Sequence, residues 1–115
     1  MTKFVGEKVL MRIFTGETKM FGLKPLYEAL VQLFREEGLA GATVLRGVSG
    51  FGAHGVYHTF KLLELSSDLP MVIEVVESQE KINSIMPKLD GMIDSGMVTL
   101  EKVNVILYTH KHAKT

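Results

Sequence analysis

Three segments of this chain are apolar on both alternating faces, and that limits the folds open to it. Segment 9–15 places Val9, Met11 and Ile13 on one face and Leu10 and Phe14 on the other, with Arg12 as the exception. Segments 71–76 and 103–107 repeat the pattern. A strand turns successive side chains to opposite sides, so a two-faced apolar strand has to be covered twice.

The covering elements are few. Over 24–37, Leu26, Tyr27, Leu30, Val31 and Phe34 recur at three- and four-residue steps, one face of a helix. Pro25 suits its first turn and Gly38 the position just past its end. A second helix is expected from Ser78 as N-cap, with Glu80 in the first turn and Ile82, Ile85, Met86, Leu89 and Ile93 as its stripe. Pro87 inside it lacks an N–H and crowds the carbonyl of Asn83, which predicts a kink or two short helices. Strands are expected at 42–48, at 71–76 after Leu69-Pro70, and at 98–108, with HKHAKT as a mobile tail.

The order β-α-β-β-α-β is that of a ferredoxin-like α/β sandwich, an α+β fold with an antiparallel sheet. A chain of 115 residues makes one such domain, 1–115. Two helices cover one face of a four-stranded sheet. The second apolar face is therefore expected to meet other copies of the chain. Thirteen basic and thirteen acidic residues leave formal net charge zero, which does not oppose self-association and disfavours general nucleic-acid binding.

Cysteine is absent, which excludes disulfides, thiolate nucleophiles and cysteine-ligated zinc. No apolar run reaches the roughly 18 residues of a membrane span. Glu7 and Lys8 interrupt the stretch where a signal peptide would be apolar, so a cytoplasmic protein is expected.

The run 50–55, Gly-Phe-Gly-Ala-His-Gly, matches G-x-G-x-x-G after a strand. A dinucleotide site needs a helix to open at once, and the VYHTFKL that follows is β-branched and aromatic instead. The glycines then serve either a close approach of backbone amides to an anion or purine ring, or a flexible hinge. Residues 49–69 form a long connection, the kind that usually carries function. It reads as a mobile partner-contacting arm or as a hairpin over 56–65.

His54 and His58 stand four apart, and His110 and His112 two apart. With no acidic ligand nearby, solvated histidines are the simpler reading and a metal-binding trimer through His54 and His58 the sharper one. Glu74, inside an apolar strand, is either a ligand contact or the partner of Arg12 or Lys102. No nucleophile or acid–base pair assembles, so no enzyme is expected.

The stretches GLAGATVLRGVSGFG (38–52), LSSDLPMVIEVVE (65–77) and MVTLEKVNVI (97–106), with RIFTGE and KPLYEAL ahead of them, closely resemble the PII-like family catalogued as domain of unknown function 190. More distantly the chain is similar to the PII nitrogen-regulatory proteins. The resemblance implies a homotrimer of ferredoxin-like subunits with sheets facing inward. It also implies adenine nucleotides between subunits and a long loop, here 49–69 with His54, Tyr57 and His58, that engages partner proteins. Family members are often encoded near fluoride exporters, which makes a membrane transporter a candidate partner.

Carried over by position, Thr43 matches the threonine beside the adenine ring. Gly50, Phe51 and Gly52 match the loop base near the phosphates, and Glu74 and Val76 match positions lining the cleft. Departures accompany these matches. One extra residue separates Thr43 from Gly50. The basic glycine-rich segment after the second helix is replaced by DSGMVTLEK. Only Lys102, His110, Lys111 and His112 stand near the place of the phosphate-holding arginines. Tyr57 is not at the familiar modification position. The resemblance so modified implies an AMP-like or cyclic nucleotide rather than ATP.

Overall fold

In the computed structural model, which describes residues 2–52, 57–59 and 68–111, the elements run in chain order. They are β1 (Thr2–Gly16), β2 (Met20–Phe21), β3 (Lys24–Pro25), α1 (Leu26–Glu36), β4 (Thr43–Arg46), β5 (Ser49–Phe51), β6 (Tyr57–Thr59), β7 (Pro70–Glu77), α2 (Gln79–Met92) and β8 (Met97–His110). β4, β7, β1 and β8 form one four-stranded sheet in that spatial order, and every neighbouring pair is antiparallel. This is the strand order of the ferredoxin-like sandwich.

One face is closed by both helices. Val9, Met11 and Ile13 of β1 and Ile73 and Val75 of β7 pack against Leu26, Leu30 and Phe34 of α1 and Ile82, Ile85 and Leu89 of α2. Each such side chain, fully buried, contributes about 1.5–3 kcal/mol of transfer free energy. Register fixes which residues share that face: Ile13 lies opposite Ile73 and Met11 opposite Val75. A slip by one residue would turn all of them outward.

The helix ends follow local chemistry. Pro25 is the N-cap, with φ −56° and ψ 139°. Its extended ψ places it one residue before the first turn, and the backbone N–H of Leu26, one of the helix's unpaired donors, is satisfied by the carbonyl of Lys19 at 2.7 Å. Gly38 has φ 76°, the left-handed conformation that closes a helix. Its N–H donates to the Arg35 carbonyl at 3.1 Å and that of Leu39 to the Phe34 carbonyl at 3.0 Å. Ser78 caps α2 by accepting from the Lys81 N–H at 3.2 Å.

α2 is one helix through Pro87, not two short ones. Pro87 and Asn83 both lie on the exposed side, where the carbonyl left without its N–H meets water and the cost of the break stays small.

The largest departure from the sequence expectation is the length of β1. It begins at Thr2 rather than at residue 9, and β8 continues to His110. The pairing of β1 with β7 ends at Val9–Glu77. Beyond it, residues 2–8 pair only with 103–110, as a two-stranded ribbon with a register shift between Phe4 and Gly6. His110, assigned to the tail from sequence, sits in this ladder opposite Thr2, its ring edge-on to Tyr108 at 5.7 Å. The tail beyond residue 111 lies outside the described residues.

Candidate functional site

The face that no helix covers carries Leu10, Phe14, Leu45, Val72, Val76 and Met97, as the cross-strand register requires. Leu45 is 48% exposed and Met97 54%. In their midst Arg12 Nε donates to Glu74 Oε2 at 2.7 Å, and its Nη1 donates to Glu101 Oε2 at 3.3 Å. Of the alternatives open for Glu74, ion pairing with Arg12 is thus realised. Lys102 lies instead 4.0 Å from Glu7. The hydrogen bond that Arg12 donates to Glu74 raises the Arg12 pKa, against some desolvation and with further help from the charges of Glu74 and Glu101.

Where the ribbon leaves the sheet, a cleft of about 750 Å³ opens. Thr43, Glu74 and Val76 form its sheet wall, Ala40, Gly41 and Ala42 one flank, and Lys3, Phe4, Lys8, Tyr108 and His110 the ribbon side. Thr43 and Glu74 are cross-strand neighbours, and Val76 lies two residues further along β7 on the same face. Three of the six ligand residues singled out from sequence therefore share one cleft.

The 40–42 flank is held by a group that sequence reading passed over. Glu77 is 8% exposed, and its Oε2 accepts the backbone N–H of Ala40 at 2.6 Å. Lys81 Nζ donates to the Glu37 carbonyl at 2.8 Å, and the Glu37 carboxylate pairs with Lys88. The segment leaving α1 is thereby tied to both β7 and α2. The signal in the sequence was an acid at 77, in step with the inward-facing positions 71, 73 and 75.

Gly50, Phe51 and Gly52 do not line this cleft. Gly50 and Phe51 lie in β5, which pairs with β6 in a separate two-stranded sheet. A Cβ on Gly50 would come within 2.9 Å of Pro70 Cγ, and the Gly47 N–H donates to the Pro70 carbonyl at 2.7 Å. These glycines let the base of the long connection press on the start of β7. Arg46 Nη2, 2.6 Å from Glu17 Oε2, ties the same base to the end of β1.

By backbone, Tyr57 lies opposite Phe51 and His58 opposite Gly50. The described part of the expected 56–65 hairpin therefore pairs back onto 49–51. His54 and the remainder of 53–56 and 60–67 lie outside the described residues. Among the described residues, no group of three or more metal-ligating side chains could hold an ion, and no helix is long and apolar enough to cross a membrane.

Sheet order and two helices on one face define a ferredoxin-like fold, here with a long excursion between β4 and β7. Solved structures agree on the fold. The chain is similar to CPII, a nitrogen regulatory PII-like protein from Thiomonas intermedia K12 bound to ADP, AMP and bicarbonate. The TM-score is 0.67 at 18% identity, over 89% of this chain and 91% of that one. It is also similar to a putative PII-like signaling protein from Thermus thermophilus, with TM-score 0.65 at 17% identity over 89% and 92% of the two chains.

Sequence comparison is more specific. Residues 8–105 match the family DUF190 (Uncharacterized ACR, COG1993). A UPF0166 protein of Aquifex aeolicus (strain VF5) is 41% identical over 102 residues, 89% of this chain and 96% of the relative. The chain belongs to the DUF190 family.

Proposed function

We propose that this chain is a cytoplasmic PII-like signalling protein that binds a small adenine nucleotide, AMP-like or cyclic rather than ATP. The base occupies the cleft of Thr43, Glu74 and Val76. The observation that carries the reading is the convergence of these three residues, from two strands, on one cleft with apolar and polar lining. That a structure of the same fold was solved with ADP and AMP supports the ligand class. The open sheet faces meet in a homotrimer, which brings Gly50, Phe51 and Gly52 of one subunit toward the cleft of the next. The 49–69 segment, with His54, Tyr57 and His58, then contacts a protein partner, a membrane transporter among the candidates, and nucleotide binding biases its conformation.

A thermal-shift panel of AMP, ADP, ATP, cyclic AMP, cyclic di-AMP and S-adenosylmethionine tests this. A ligand at about 100 times its dissociation constant stabilises the native state by roughly 2.7 kcal/mol. A selective rise with AMP or a cyclic nucleotide is expected, and a flat panel contradicts the reading.

A second reading, a protein-interaction module that needs no nucleotide and is not an enzyme, draws on the contact of Gly50 with Pro70, which accounts for that glycine without a ligand. Partner capture that nucleotide leaves unchanged, and that deleting 53–64 abolishes, distinguishes it.

A further inference from the structure

We propose that Lys3 and Lys8, on the β1 strand of the ribbon, form an anion subsite at the ribbon side of the cleft and take the phosphate of a phosphorylated ligand. The identity of that ligand rests on the nucleotide reading above; the charge preference does not.

The charge balance of the cleft is the starting point. Its lining contains one carboxylate, Glu74, against two ammonium groups, and Glu74 is already paired at 2.7 Å with Arg12, which also reaches Glu101 outside the lining at 3.3 Å. Lys3 and Lys8 line the same space. Neither has a carboxylate partner among the described residues, since the nearby Glu7 pairs with Lys102 on the neighbouring strand. The cleft therefore carries uncompensated positive charge beside an apolar floor of Leu10, Val76 and Val105. Low-dielectric walls strengthen the attraction of such a charge for an anion.

The placement of Lys8 is specific. Its Nζ lies over the ring of Phe4 at 4.3 Å from the centroid. That contact holds the ammonium at the cleft without occupying its N–H donors as a carboxylate would. A lysine held this way binds phosphate as a point charge.

Titration of inorganic pyrophosphate, followed by backbone amide NMR of the ribbon, tests the subsite without any adenine. Saturable shifts at residues 3–8 are expected in the wild type. Affinity should fall at least roughly tenfold in Lys3→Gln/Lys8→Gln, the effect of losing hydrogen bonds to a charged group. It should return in Lys3→Arg/Lys8→Arg, which also shows that the loss is not one of folding. Absence of saturable shifts, or equal affinity in the Gln variant, overturns the proposal.

A parallel titration with AMP and adenosine separates the two readings. If the ratio of AMP to adenosine affinity falls about tenfold in the Gln variant, both stand. If pyrophosphate binds through the lysines and neither AMP nor adenosine binds, the subsite stands and the nucleotide reading fails. If both bind with an unchanged ratio, the nucleotide reading stands and the subsite is overturned.

Discussion

Val9, Met11 and Ile13 point from β1 into a closed layer under two helices. Leu10, Arg12 and Phe14, interleaved with them, point from the same strand onto a face that no helix covers. The closed face is finished within the chain by aliphatic and aromatic packing. The open face has its own apolar set, but its centre is occupied by Arg12 between Glu74 and Glu101. The contrast separates two uses of one alternation. The first face specifies the fold, and the second presents a patterned surface whose charges fix how it can be matched.

Removing a large side chain from the closed face gives the strongest break. Phe34→Ala should destabilise the fold by about 3–5 kcal/mol in urea unfolding, because Phe34 is fully buried in that layer. A loss below about 1 kcal/mol would mean that the layer is not the principal core. Next in size is Glu77→Ala, expected to cost about 1–3 kcal/mol by leaving the Ala40 N–H without its acceptor. Because Ala40 flanks the cleft, the AMP binding proposed above should weaken as well, and Glu77→Gln, which keeps an acceptor, should recover most of both. Equal damage from Ala and Gln would assign Glu77 a role through its charge.

Gly38→Ala acts on the closed face through the end of α1. The φ of 76° there disfavours a side chain, with a loss of about 1 kcal/mol expected in thermal melts. The smallest effect on the single chain belongs to the open face. Arg12→Met should leave the stability of the isolated subunit close to unchanged, since the pair is partly exposed and solvent-screened. Pairing raises the Arg12 pKa, so its contribution is fully present at neutral pH and is lost only in strong alkali. A stability change from Arg12→Met that grew between neutral and mildly alkaline pH would contradict that assignment.

Element order and both helix-facing stripes were legible in the sequence because they depend on strong periodicity and on capping residues such as Gly38 and Ser78. So was the uncovered second face, read from Leu10, Phe14 and Val72. The ribbon was not. Lys3, Glu7 and Lys8 interrupt any apolar pattern over 2–8, so nothing in the sequence tells that the two-faced strand at 103–107 pairs with this segment beyond the helix-covered sheet. Pro87 misled for a related reason, since a local rule about proline does not say whether the freed carbonyl faces water. Of the site, Glu74 could be singled out as an acid inside an apolar strand, and Thr43 and Val76 through the family resemblance. The lysines and Phe4 depend on long-range register and could not, while the signal at Glu77 was its step with the inward-facing positions 71, 73 and 75. The Gly50 contact with Pro70 joins residues twenty apart in sequence, which no motif spacing announces.

The native mass in solution tests what covers the open face. Sedimentation equilibrium should give three times the 12.8 kDa of the chain, and Val72→Glu, which places a charge in the middle of that face, should reduce it to a single subunit that keeps its circular dichroism. A wild-type mass of one subunit across the concentration range would contradict the account.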